Sequence, residues 1–314
     1  MTFHRQNNDN VINNFLDPKS FFTTSSFNKF WHSMIQPQRL LTAALMILSS
    51  LAMSAQAATV SVSNYPLFLL SEAVTEGAPS ANRLLQAGDI GHHGSISPGD
   101  IKAIQDSKFV VWFGESLENS LASSLNTAPN GIALFNFNAF DRHPLRDVKG
   151  VPIAGTLDPH IWLDPDNAKA ITRALAVIHS HANPEYKKLY QENVQKFAQR
   201  MDKAVAAQNI SQKKRPYWAY HDSYQYMEKP MQLQYAGSLT ADEHLSPKAS
   251  QLRWLNEQRP AKQMCLVAQS EPAKGLIAKL QPVNTTVQVE DMSMSKDFVA
   301  GWSIMAQQIR RCIS

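Results

Sequence analysis

Short, unbroken apolar runs are the feature that most limits how this 314-residue chain can fold. Phe109-Val-Val-Trp-Phe113 is closed by Gly114, and Tyr217–Tyr220, Cys265–Ala268 and Thr286–Val289 are similar. Runs of four or five such residues, bounded by turn formers, read as strands buried on both faces. Thr59-Val-Ser-Val-Ser63 alternates and predicts one more strand, broken by Asn64-Tyr65-Pro66, after which Leu67–Val74 reads as helix. Helical patterns lie between the strands, and that alternation yields an α/β architecture with mainly parallel sheets flanked by helices.

Two helices are well marked. Asp164-Pro165 supplies an N-cap and a first-turn proline, followed by Ile171, Leu175 and Ile178 on one face. A second helix opens at Asn183-Pro184 and carries Tyr190, Val194, Phe197, Met201 and Val205 on one stripe. With no Gly or Pro before Gln208, it spans roughly 36 Å at 1.5 Å per residue. Strand–helix patterns flank it on both sides. The expected organisation is a lobe over 58–183, a connecting helix over 184–209 and a second lobe over 210–314. No internal repeat or low-complexity tract interrupts this order.

Residues 1–57 read as an extension plus an export signal. Arg39 precedes the apolar stretch Leu40–Met53, and Ala55-Gln56-Ala57 has the small-x-small form of a cleavage site, so cutting is expected after Ala57. Met34 would start a conventional signal peptide, and an uncleaved anchor is the alternative, although the run falls short of the ~20 residues of a bilayer span. Without this segment 26 Lys/Arg face 24 Asp/Glu, too balanced a charge for a nucleic-acid partner. The exported part keeps two cysteines, Cys265 and Cys312. In an oxidising compartment such a pair reads as a disulfide. It would close a loop of ~48 residues, worth about 4 kcal/mol in the chain-entropy picture. Thiolate metal ligation is the alternative, without a CxxC pair to support it.

Eight histidines follow the signal: 92, 93, 143, 160, 179, 181, 221 and 244. No pair has the helix-borne HExxH spacing, so each must be read from its surroundings. Gly91-His92-His93-Gly94 lies in a turn-rich stretch where an imidazole meets little steric hindrance. His160 stands in Asp158-Pro159-His160-Ile-Trp-Leu-Asp164-Pro165, a stiff piece between prolines, with Asp158 or Asp164 available to its second nitrogen. His221-Asp222 follows an apolar strand, and Glu290-Asp291 follows another; both sit at strand carboxyl ends, where α/β folds place ligands. Each segment alone also fits an ordinary loop or semi-buried residue. His143, His179, His181 and His244 read as surface, with a place lining a cleft as the alternative for His244.

In order along the chain, Gly88-Asp-Ile-Gly-His92-His-Gly-Ser-Ile-Ser-Pro98-Gly-Asp100, the Gly114-x-x-x-Glu118 turn after Phe109–Phe113, His160-Ile-Trp-Leu-Asp-Pro165 and His221-Asp-Ser-Tyr-Gln-Tyr-Met-Glu-Lys229 resemble the metal loops of the periplasmic zinc/manganese-binding proteins of ABC importers. The likeness covers 58–314. It implies two α/β lobes bridged by a long rigid helix, with metal in the inter-lobe cleft. It carries metal ligation onto His92, His160 and His221. The family's C-terminal aspartate matches Asp291, although its Asp-Pro-Leu-Gly turn reads Glu290-Asp-Met-Ser here, which leaves Glu290 or water open. The zinc-type disulfide of the second lobe resembles a Cys265–Cys312 pairing. Two departures stand out. Asn136–Leu157 holds only His143 where many zinc-type members have a His- and Asp-rich loop, and Gly91 replaces a proline or acid, making His93 an alternative ligand.

Manganese-type members resemble two histidines plus two carboxylates, whereas a histidine at position 221 gives three nitrogens and at most one carboxylate. That set suits Zn2+. The expected function is therefore capture of one Zn2+ per chain by a monomer, without enzymatic activity, and delivery to the membrane subunit of an ABC permease. Affinity should fall below about pH 6, where imidazoles take up protons. A secreted zinc hydrolase, with Asp222 or Glu243 as general base, is the alternative from another class; a manganese-binding or adhesin-type member is a third.

Overall fold

The computed structural model describes residues 59–89, 91, 96–208, 213–242 and 245–314. The expected signal segment, His92, His93 and His244 lie outside the described residues. Two four-stranded parallel sheets form the framework. The first comprises β1 (Val60–Val62), β2 (Asn82–Arg83), β3 (Phe109–Trp112) and β4 (Gly131–Ala133), in the order β2-β1-β3-β4. The second comprises β5 (Arg215–Ala219), β6 (Leu233–Ser238), β7 (Met264–Ala268) and β8 (Val283–Val287), in the equivalent order β6-β5-β7-β8. Every pairing within these two sheets is parallel.

Central position explains which strands the apolar runs reveal. β7 is buried at all five positions, and β3 at three of four. Edge strands need apolar side chains on fewer positions, and β2, β4 and β6 gave no continuous run. The edge strand β8 differs from expectation for the same reason. It runs from Val283 to Val287 and includes the exposed Asn284 and Thr285, which the apolar pattern at Thr286–Val289 does not reveal.

Helix ends follow local chemistry. Helix α1 (Tyr65–Thr75) starts at Asn64, whose side chain accepts from Leu67 N at 3.1 Å. Ser97 and Asp100 form a reciprocal capping box on α2 (Pro98–Asp106). That motif satisfies two otherwise orphaned backbone donors. Next come α3 (Asn119–Leu125) and α4 (Pro165–Ala182). Asp164 caps α4 by accepting from Asp166 N and Asn167 N at 2.7 and 2.9 Å.

After a 3-10 turn at Pro184–Tyr186 comes α5 (Lys187–Ala206), the long helix that leads from the first sheet to the second. Its face of Tyr190, Asn193, Phe197 and Met201 is buried, and it packs on α4 and α1. In the second lobe lie α6 (Gln225–Met231), α7 (Ala249–Glu257), α8 (Lys274–Ala278) and α9 (Phe298–Cys312). Helix α9 also meets α5, where Phe197 and Phe298 rings lie 5.9 Å apart and Arg200 pairs with Asp297 at 2.7 Å. No described helix is long and apolar enough to cross a membrane.

Cys265 of β7 and Cys312 at the end of α9 are joined as a disulfide, so the cysteines are not metal ligands. The bridge ties the last helix to a central strand across 47 residues. Removing it as Cys265→Ala with Cys312→Ala is expected to lower the unfolding free energy by about 2–4 kcal/mol, because the unfolded chain regains the entropy of an open loop. Urea denaturation reads this directly; an unchanged midpoint at unchanged slope would exclude that role for the bridge.

Candidate metal centre

His160 is fixed by its own neighbour two residues back. Asp158, fully buried, accepts from His160 N at 3.0 Å through Oδ1, and the same oxygen lies 2.8 Å from His160 Nδ1. A carboxylate oxygen can only accept, so Nδ1 carries the proton and Nε2 is left to face a ligand. The Trp162 indole stands edge-on to the imidazole at 5.4 Å. Asp164, the other partner considered for His160, is used instead to cap α4.

His221 follows β5 at the carboxyl end of the second sheet, with Tyr220 N still bonded to Val267 O. Glu290 follows β8 and enters the same crevice. Its two carboxylate oxygens divide between the imidazoles: Oε1 lies 3.4 Å from His160 Nε2 and Oε2 3.5 Å from His221 Nε2. The two rings are 6.0 Å apart. All three side chains are buried, and one ligand atom from each falls within 4.8 Å of the others. His221 Nδ1, also buried, has no hydrogen-bond partner among the described residues.

This proximity shifts protonation in opposite directions. Burial disfavours a charged His160, yet the Glu290 and Asp158 carboxylates outweigh it and raise its pKa to about 10. Burial also disfavours charge on Glu290, but His160 and His221 hold its carboxyl far below the usual carboxylate range. Both directions favour a charged His160–Glu290 pair across the 3.4 Å contact.

Asp291 is placed differently from Glu290. Its Oδ2 accepts from Gly88 N at 2.6 Å and its Oδ1 from Ser293 N at 2.8 Å. It is not in the group formed by His160, His221 and Glu290. Met292 takes up φ +56, and Met292 N returns to Val289 O, a turn that sends consecutive acidic side chains to different partners. Trp162 Nε1 donates to Glu290 O at 3.0 Å and so pins the same turn from the first lobe.

Asp222, the candidate general base beside His221, faces Arg146 at 2.7 Å. His143 lies against the Tyr226 ring, 4.8 Å between centroids. His179 is a core residue rather than a surface one: it is buried against Ser71 Oγ at 2.8 Å, and burial lowers its pKa to about 4. Sequence reasoning passed over Gln269, whose Nε2 lies 2.6 Å from Ser223 Oγ and 3.4 Å from Glu290 Oε2. The signal was available, since Gln269 follows β7 as His221 follows β5.

Glu118 lies buried beside Gly91. Its carboxylate accepts from Ser63 Oγ, from Asn64 Nδ2 and Phe113 N at 2.7 Å, and from Gly114 N at 3.1 Å. Burial nevertheless pushes its pKa up to about 8. Gly91, at φ +89, lies so close that a Cβ there would come within 2.9 Å of Glu118 Cγ. Only glycine fits that contact and that conformation.

Residues 60–292 match the family described as zinc-uptake complex component A, periplasmic. The high-affinity zinc uptake system protein ZnuA of Haemophilus ducreyi is 27% identical over 267 residues, covering 74% of this chain and 83% of that protein. Its counterpart from Brucella abortus is 25% identical over 253 residues, covering 67% and 75%. Among solved structures, a crystal structure of ZnuA matches with a TM-score of 0.68 at 17% identity, over 82% of this chain and all of that one. Zn(II)-bound AdcA from Streptococcus pneumoniae matches with a TM-score of 0.65 at 18% identity, over 82% of this chain, which spans only 58% of that longer protein. The structural likenesses speak for the two-lobed fold, and the family match over residues 60–292 includes His160, His221 and Glu290. The chain belongs to the family of periplasmic zinc-uptake component A proteins.

Proposed function

We propose that the chain captures one Zn2+ between its lobes in the periplasm, as a monomer and not as an enzyme, and delivers it to the membrane subunit of an ABC permease. The observation that carries this reading is the convergence of His160, His221 and Glu290, buried and within 4.8 Å of one another. Two neutral imidazoles and one carboxylate are borderline and hard donors in the mixture that zinc accepts. His92 is the proposed fourth ligand. In this reading Glu290 replaces Asp291 as the acidic ligand, and Asp291 ties Gly88, four residues before His92, to the second lobe. The leader over 1–57, with cleavage after Ala57, belongs to the same proposal and accounts for export. The hydrolase alternative loses one of its two candidate bases, since Asp222 is engaged by Arg146.

Two outcomes test the site. His160→Ala, His221→Ala and Glu290→Ala are each expected to weaken zinc binding by at least about tenfold, as loss of one of four ligands does, while Asp291→Ala costs less. Competition with a chelator of known affinity measures this. If Asp291→Ala proves the more damaging of the two acidic substitutions, the assignment of Glu290 fails.

The second outcome concerns protons. His160 in the folded, metal-free protein holds its proton up to about pH 10, against an ordinary 6.5. Its raised pKa stabilises the metal-free fold fully below about pH 6.5, and this contribution is lost as pH rises through about 10. Zinc must displace that proton, so affinity should rise by about tenfold per pH unit from pH 6 to pH 8, with about one proton released per zinc near pH 7. Proton competition thus extends well above the pH 6 limit that an ordinary histidine implies. Calorimetry in buffers of different ionisation enthalpy counts the released protons; a count of zero contradicts the protonated His160.

A further inference from the structure

Residues 141–157 run from the first lobe to Asp158 along the surface of the second. Asp147 N bonds Val151 O, and Ile153 N bonds Leu145 O, making a small hairpin. The second lobe grips this hairpin through its backbone: Val148 O accepts from Ser238 N at 3.0 Å and from Gln251 Nε2 at 3.2 Å. Gly150 lies against the Tyr235 ring, where a Cβ would come within 3.1 Å.

At the centre of the contact is Arg146, whose side chain is 11% exposed. Its Nε and Nη2 donate to the two oxygens of Asp222, both at 2.7 Å. Nη1 and Nη2 donate to Glu228 at 3.2 and 2.6 Å. The guanidinium also lies 4.1 Å from the Tyr235 ring centroid, and Tyr217 OH donates to Glu228 Oε1 at 3.0 Å. Asp222 is the residue after His221.

The other end of the segment leads to the second imidazole. Asp158 N donates to His143 O at 2.8 Å, so the two arms of the segment meet. Tyr226, on α6 with Glu228, accepts from His143 N and donates to Asp158 O, each at 3.0 Å. Asp158 in turn holds His160. Contacts and short stretches of chain therefore join the two histidines: Asp222 adjoins His221 and binds Arg146, three residues of chain lead from Arg146 back to His143, and His143 O holds Asp158, which holds His160.

A network of this kind adds little stability over well-packed apolar residues of the same volume. What a planar fork on two carboxylates does supply is direction, which a lysine at the same position cannot. We infer that Arg146 is a positioning residue for the metal centre: its grip on Asp222 and Glu228 seats residues 141–157 on the second lobe and so fixes His160 opposite His221. This inference rests on the proposed zinc site.

The test uses the full chain and three variants, Arg146→Met, Arg146→Lys and Tyr226→Phe. Zinc affinity is read by chelator competition, ligand geometry by the visible absorption of bound Co2+, and seating of the segment by amide exchange of the metal-free protein. Arg146→Met and Arg146→Lys are both expected to raise the zinc dissociation constant at least about tenfold, to alter the cobalt bands and to lose amide protection at Asp158. Tyr226→Phe, which removes one hydroxyl and no charge, is expected to raise it severalfold and tests the same link should the arginine variants fail to fold. Wild-type affinity and an unchanged cobalt spectrum in the folded variants overturn the positioning role and leave the zinc site standing. A wild-type protein that binds no zinc overturns both, and its amide exchange then shows whether the segment is seated at all.

Discussion

The contact between Asp158 and His160 governs the centre. One buried carboxylate oxygen engages both the backbone and the ring of the same histidine, which fixes the tautomer and the ring plane together. His160 Nε2 then has one direction to face, and Glu290 and His221 lie there. The elements around this contact hold it in place. Asp164 starts α4 immediately after the loop, Trp162 pins the Glu290 turn, and Trp302 Nε1 donates to Leu163 O at 2.9 Å from the opposite lobe. An imidazole with this little freedom has little rotamer entropy left to lose when it binds an ion.

The sheets show why part of this fold was legible in the amino-acid order and part was not. β1, β3, β5 and β7 are interior strands, covered on both faces, and each announces itself as a compact apolar or alternating run. β2, β4 and β6 are edges, where Asn82, Gly131 or Gln234 is tolerated, and local pattern carries no trace of them. Helix starts were legible wherever a side chain closes the first turn, as at Asp164. The stripe from Tyr190 to Met201 marked the connecting helix because that face is pressed between helices of both lobes.

At the site, His160 and His221 could be singled out because each stands in a short, self-explanatory context: a stiff piece between prolines, and the carboxyl end of a strand. The acidic partner could not. Glu290 and Asp291 are adjacent, and which one faces the imidazoles depends on a left-handed residue at Met292 and on an indole 128 residues away. The role of Asp222 was hidden for the same reason. Its neighbour in sequence is a histidine, but its partner in space is an arginine 76 residues earlier. Close-range chemistry names candidates, and long-range contacts choose between them.

The shared strand order of the two sheets has a consequence for what each half brings to the crevice between them. In each sheet the order reverses between the first and third strands, and that reversal opens a crevice at the carboxyl ends. In the first lobe the crevice is already plugged. Glu118 sits between the ends of β1 and β3 and takes donors from Ser63, Asn64, Phe113 and Gly114. In the second lobe the corresponding place, beyond β5 and β7, holds His221, Ser223 and Gln269 around the carboxylate of Glu290. The pseudo-symmetric halves thus meet the same geometric vacancy with two answers: a buried carboxylate that fills one crevice from within, and a ring of donors that leaves the other open towards His160.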